Sequence, residues 1–177
     1  MKKYEFTGET KQVGILGNIT LKRIRATMEF GFVKIGDLGG WIEKEENLSH
    51  EGNAWVYGNA EVYGNAKVWG DAKVYGNAKV YGNAKVCGNA EVYDNAEVFS
   101  ISHVLVIGPI GSRNDFTTFF RDKDSEITVK CGCFIGKIDK FLEKVCETHG
   151  DSKYAIVYRS AAEIAKQQID LSEKKQL

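Results

Sequence analysis

The chain has 177 residues and a mass of 19.7 kDa, enough for one domain or two small units sharing a core. Hydrophobic residues make up 43% and charged residues 27%, which excludes disordered and collagen-like classes. Lys plus Arg is 24 and Asp plus Glu is 24; without a basic excess, a general DNA or RNA binder or a protein of anionic membrane surfaces is not indicated.

At the start, Lys2 and Lys3 have no apolar run behind them, and no apolar stretch approaches the length that spans a bilayer. The expectation is a cytoplasmic protein whose four cysteines (Cys87, Cys131, Cys133, Cys146) are reduced thiols. Residues 1–51 hold strand-like runs, clearest over 14–30. The stretch Gly36-Asp37-Leu38-Gly39-Gly40-Trp41 then approaches a six-residue rhythm without holding its phase, as a capping coil would.

From 52 to 99 a six-residue unit runs eight times without a slip: GNAWVY, GNAEVY, GNAKVW, GDAKVY, GNAKVY, GNAKVC, GNAEVY, DNAEVF. A ninth unit, SISHVL, keeps only the small residue and the Val. Within Ala-x-Val-Tyr the period is two, so Ala and Val share one side and x and Tyr the other. Gly-Asn supplies the corner, since both residues tolerate positive φ. So short a strand with so tight a corner winds rather than hairpins. Three units of six make a coil of 18, with Ala and Val filling a narrow three-sided interior. Coils stack at about 4.8 Å, so residues 18 apart form vertical files.

This winding sorts the outward side chains onto three faces. The first carries Trp55, Lys73 and Glu91 with Tyr57, Tyr75 and Tyr93. The second carries Glu61, Lys79 and Glu97 with Tyr63, Tyr81 and Phe99. The third carries Lys67, Lys85 and His103 with Trp69, Cys87 and Leu105. Charges alternate along the second face and attract. The third is a cationic file with no carboxylate, which splays its stems into water or meets an anionic ligand or a subunit. Three aromatic-rich stripes on a small prism are a large apolar surface of the kind that meets a partner. Asp94, Ser100 and Ile101 break the Gly-Asn pattern, and the repeat is expected to end by Val106.

Beyond Gly108-Pro109-Ile110-Gly111 the composition changes. Residues 116–120 read as a strand, 121–125 as a hairpin loop and 126–134 as the returning strand. A first helix is expected over 137–148, with Ile138, Phe141, Leu142, Val145 and Cys146 on one stripe and Gly150 as its stop. Asp151 is expected to cap a second helix that buries Tyr154, Val157, Tyr158, Ala161, Ala162, Ile164, Ala165 and Ile169. The domains expected are therefore an N-terminal β cap (1–51), the coil (52–107) and a C-terminal α+β module (108–177).

The densest polar cluster is Ser112-Arg113-Asn114-Asp115, followed by Phe116, Thr117 and Thr118. Arg113 offers a planar fork for phosphate or carboxylate, and the Ser, Asn and Thr side chains offer small donors beside it. Gly108 and Gly111 leave backbone N–H groups open for an anion. Phe116, Phe119 and Phe120 supply a surface on which a base can stack. The ending of a P-loop is missing. The structural alternative is a junction locked by an Arg113–Asp115 pair. Together with Lys67, Lys85 and His103, these residues form the candidate ligand site. Cys131-Gly132-Cys133 with Cys146 and His149 has zinc-like spacing, but buried thiols explain it without metal. No catalytic residue, metal or cofactor is assigned.

The six-residue unit resembles the hexapeptide repeat of left-handed parallel β-helices. That resemblance implies the hand, a mostly β three-sided fold with a C-terminal hairpin and two helices, and assembly as a homotrimer. The hexapeptide family includes acyltransferases with a histidine base and coenzyme A along the coil. Of His50, His103 and His149, none sits in a loop inserted between coils. The stretch GDLGGWIEKEENLSHEGNAWVYGNA, and VIGPIGSRNDFTTFFRDKDSEITVKCGCF continuing to ETHGD, resemble repeat proteins of tailed phages and prophages. By analogy of type, this implies a non-catalytic binder of a small anionic, nucleotide-like ligand, such as a sponge for the nucleotide signals of bacterial defence. An acyltransferase-like enzyme and a trimeric scaffold are the alternatives.

Overall fold

The computed structural model describes residues 2–174. It is mostly β: a solenoid of about three stacked turns, closed at one end by an N-terminal hairpin and joined at the other to a sheet carrying two helices. Among the described residues no helix is long and apolar enough to cross a membrane.

Strands β1 (Tyr4–Val13) and β2 (Ile19–Ala26) form an antiparallel hairpin. The strand expected over 14–30 is corrected at its start. Residues 14–18 are the hairpin turn, where the Gly17 N–H donates to the Gly14 carbonyl at 3.1 Å. Strand β3 (Leu38–Ile42) runs antiparallel to β2 on one side and parallel to the solenoid on the other. It is the capping coil, and it is out of phase as expected: Trp41 lies opposite Glu61, twenty residues on rather than eighteen.

The eight units give strands β4 (Trp55–Val56), β5 (Glu61–Val62), β6 (Lys67–Val68), β7 (Lys73–Val74), β8 (Lys79–Val80), β9 (Lys85–Val86), β10 (Glu91–Val92) and β11 (Glu97–Val98). Their parallel ladders are β4-β7-β10, β5-β8-β11 and β6-β9, each pairing residues eighteen apart. Every Ala and Val of the eight units is buried. The corner glycines from Gly52 to Gly88 hold φ between +58° and +73°. Asp94 stands where glycine would and takes the same left-handed conformation, φ 52°. It therefore keeps the corner rather than breaking it; Asp tolerates this region better than most residues.

The outer files are stacked rings: Tyr57, Tyr75 and Tyr93 at 4.3 Å between centroids, and Tyr63, Tyr81 and Phe99 at 5.0 and 5.3 Å. Trp55 is not on an open face. It is 1% exposed, covered by Tyr4 and Phe30 of the cap. On the second face Glu61 pairs with Lys11 of β1 at 2.8 Å, so the cap supplies the counter-charge expected from Lys79.

The ninth unit does not continue the coil. Residues Ile101–His103 turn as a 3-10 helix, and the chain leaves along β12 (Val104–Ile110). β12, β13 (Asp115–Arg121), β14 (Ile127–Cys131) and β15 (Phe134–Lys137) make a four-stranded antiparallel sheet, larger than the single hairpin expected. Cys131 pairs with Phe134 across a two-residue turn, so Cys133 lies in the turn and not on a strand side shared with Cys131.

Helix α1 (Ile138–His149) buries Ile138, Phe141 and Val145, but Cys146 is exposed rather than on the buried stripe. Helix α2 (Lys153–Gln168) is capped by Ser152, whose hydroxyl accepts from the Ala155 N–H, and not by Asp151. It packs a small-residue face (Ala155, Ala161, Ala162, Ala165) around Tyr158 and leaves Tyr154, Val157 and Ile164 exposed, against expectation. With that much alanine available the helix lies close to its neighbours, and the larger apolar side chains fall outside the narrow contact.

Candidate functional site

The turn between β12 and β13 is fixed from below. Gly111 (φ +70°) lies directly against the Tyr158 ring, which leaves no room for a Cβ, and the Asn114 N–H donates back to the Gly111 carbonyl at 3.3 Å. Arg113 projects from this turn alongside Gly132 in the β14–β15 turn; a Cβ on Gly132 would lie 3.1 Å from the Arg113 Nε. The exposed Arg113 side chain lines a cleft of about 400 Å³ between the first solenoid face and the C-terminal sheet, and it also borders the neighbouring groove that contains Ser112.

The solenoid wall of this cleft is Asp71, Lys73, Asn89 and Glu91; the sheet wall includes Arg113, Asp115, Phe116, Thr118 and Lys130. Lys73 and Glu91 are paired across β7 and β10 and form an ion pair at 3.1 Å. Lys130 reaches the other oxygen of Glu91, also at 3.1 Å, and donates to the Gly132 carbonyl. Asp71 accepts from the Asn53 amide at 2.8 Å, and Asp115 accepts from the Phe116 N–H at 2.7 Å. Each carboxylate is thus engaged within the fold. Arg113 forms no ion pair with any described residue, so the Arg113–Asp115 lock is not formed. The cleft presents three cationic groups, of which one has no carboxylate partner. A planar unpaired guanidinium beside two lysines suits a phosphate or carboxylate.

Of the residues singled out in the sequence, the structure gathers Arg113, Asp115, Phe116 and Thr118 in this cleft. Thr118 is spent on structure, its hydroxyl accepting from the Glu91 N–H at 3.0 Å. Thr117 is buried and donates to the Cys131 Sγ at 3.3 Å. Asn114, at φ 49°, shapes the turn. Ser112 faces a separate groove of about 290 Å³ with His149 and Tyr158, its hydroxyl 3.5 Å from the His149 Nε2. Phe119 and Phe120 are fully buried and offer no stacking surface; Phe116 keeps partial exposure.

Lys67 and Lys85 share a file, as expected, but Lys67 lines grooves with Glu46 on another face, away from the cleft. His103 and Leu105 do not extend that file, because the coil has ended. His103 is 0% exposed rather than at the surface, with its Nδ1 accepting from the Phe99 N–H and its Nε2 3.2 Å from the Glu173 carboxylate. Burial holds its pKa below the ordinary histidine value. Cys133 and Cys146 are exposed, and among the described residues no group of three or more His, Cys, Asp or Glu is placed to hold a metal ion.

Lys73, Glu91 and Lys130 were not singled out for the site from the sequence. The Lys73–Glu91 file was legible from the repeat, but nothing in the sequence says that β13 and β14 lie over it.

Together these features describe a β-solenoid of six-residue units with a polar cleft where the coil meets its C-terminal sheet. No family model matches the chain. It is similar to the protein named "Uncharacterized acetyltransferase YdcK" of Escherichia coli (strain K12), 37% identical over 62 residues. That match covers 32% of this chain and 19% of the relative's length.

Proposed function

We propose that the protein binds a small anionic, nucleotide-like ligand in the cleft around Arg113 and holds it without turning it over. The observation that carries this reading is the Arg113 guanidinium, which lines the cleft beside Gly132 with no carboxylate partner among the described residues, while Asp71, Glu91 and Asp115 are engaged. Phe116 provides an apolar wall. We extend this to a homotrimer that carries three such clefts and sequesters its ligand in a cytoplasm. Calorimetric titration of the purified protein with adenosine and guanosine 5′-monophosphate tests the site. The expected result is saturable binding that Arg113→Ala weakens at least about tenfold, the loss of one charge-assisted contact. Ligand released by heat should be recovered intact. Binding unaffected by Arg113→Ala overturns the reading.

A second reading, acyl transfer, is favoured by the relative's name. Against it, His50 is engaged with the Lys3 N–H and His103 with the Phe99 N–H. His149, beside Ser112, lies away from the coil. Release of free thiol from acetyl-coenzyme A, abolished by His149→Ala, would favour transfer over sequestration.

A further inference from the structure

Residues 30–33 form a tight turn at the edge of the N-terminal cap. The Phe30 N–H donates to the Val33 carbonyl at 3.1 Å and the Val33 N–H returns to the Phe30 carbonyl at 2.8 Å. Gly31 occupies the left-handed region at φ +52°, as a two-residue turn requires. Both flanks are held: Val33 is buried, and the Phe30 ring packs edge-on to Trp55 at 5.3 Å. Between them Phe32 is thrown outward and is 89% exposed. An exposed phenylalanine on a loose loop would say little. This one stands at the tip of a hydrogen-bonded turn flanked by the buried Val33 and by Phe30, which packs against the core.

What lies beside it gives the exposure a meaning. The Lys73 ammonium, part of the cleft wall, sits 5.6 Å from the Phe32 ring centroid. Gly31 lies against Asn53, whose amide holds Asp71, a second cleft residue. The turn therefore stands on the rim of the anion cleft and carries a bare aromatic ring next to its lysine.

We infer that Phe32 is the base-stacking platform of the cleft, so that the ligand is a nucleotide carrying an unpaired base rather than a simple anion. This rests on the proposed binding of an anion near Arg113. The phosphate meets Arg113 and the lysines, and the base lies on the Phe32 ring, which the described fold leaves open to solvent. Stacking of this kind tolerates any base and adds affinity without hydrogen-bond readout.

The test compares adenosine and guanosine 5′-monophosphate with ribose 5-phosphate, which has the phosphate but no base, by calorimetry on the full chain. The wild type is expected to bind both nucleotides at least about tenfold more tightly than ribose 5-phosphate. Phe32→Ala should lower nucleotide affinity to the ribose 5-phosphate level and leave ribose 5-phosphate binding unchanged. Phe32→Trp should keep nucleotide binding and report it by fluorescence quenching. If Phe32→Ala binds nucleotides as the wild type does, or loses nucleotide and ribose 5-phosphate equally, the platform is overturned while the Arg113 cleft stands. If the wild type binds none of the three, the cleft reading fails, and the platform with it.

Discussion

Lys3 is a charged residue that the fold has taken inside. It is 1% exposed, its ammonium donating to the carbonyls of Ala54 at 2.8 Å and Gly52 at 3.3 Å and lying 4.8 Å from the Phe30 ring. It thereby satisfies backbone leading into β4, the edge strand of its ladder. Burial pulls its pKa from 10.5 down to about 8, with the Asp71 carboxylate opposing. Between those values the unfolded chain binds the extra proton, so this residue makes stability rise as pH climbs from about 8 towards 10.5. The half-buried tyrosines of the outer files act oppositely above pH 10, because their partial burial raises their pKa in the folded state. The difference between wild type and Lys3→Met isolates the lysine. In urea melts at pH 7.5 and 9.5, the wild type should gain stability relative to Lys3→Met at the higher pH; a constant difference would refute the assignment. Nothing in the sequence marks Lys3 as buried, since its partners come from residues about fifty positions away. Arg113, by contrast, stands out in the sequence as a candidate from the polar cluster around it, although Ser112, Asn114 and Thr117 of that cluster do not line the cleft.

The repeat is the element most fully written in the chain, because each unit solves the same packing problem with the same residues. The Ala and Val interior, the corner conformation and the eighteen-residue files all follow from it. Its end was less legible: Val104 and Leu105 fit the pattern, yet the pattern alone does not say where a competing antiparallel partner, β13, takes over the strand. The corners give a graded test. Gly82 (φ +58°) would place a Cβ 2.6 Å from the Phe99 carbonyl oxygen, whereas Gly88 (φ +62°) has nothing within 4 Å. Both alanine variants carry the left-handed strain of about 1–2 kcal/mol. Gly82→Ala must also push apart two coils, adding roughly 1–3 kcal/mol. Chemical denaturation should therefore rank Gly82→Ala well below Gly88→Ala; equal losses would mean that the coils do not approach as closely as this geometry requires.

At the scale of the whole molecule, one strand joins the two cores. On β13, Phe120 is buried in the solenoid core and its neighbour Phe119 in the core beneath the helices, opposite sides of one strand. Around them the junction is tied by polar contacts: Thr118 to the Glu91 N–H, the Lys123 N–H to the Asn95 carbonyl at 2.9 Å, and the Arg121 guanidinium over Phe99 at 4.8 Å. This junction forms the walls of the cleft, so the proposed ligand would bind where the two units meet. The strand at 116–120 was legible, but its role was not, because a run of aromatic residues on a buried strand looks the same whether it serves one core or two. The three tryptophans (Trp41, Trp55, Trp69) all lie in the cap and solenoid, while both α-helices lie in the C-terminal unit. Tryptophan fluorescence and helical circular dichroism therefore report the two halves separately. In the wild type the two urea transitions should coincide. Phe120→Ala removes about 3–5 kcal/mol from the solenoid side of the junction, and the fluorescence transition should then move to lower urea and separate from the helical one. If the two probes stay superimposed in Phe120→Ala, the halves are coupled through contacts other than this strand, and the cleft between them is not the hinge of the molecule's stability.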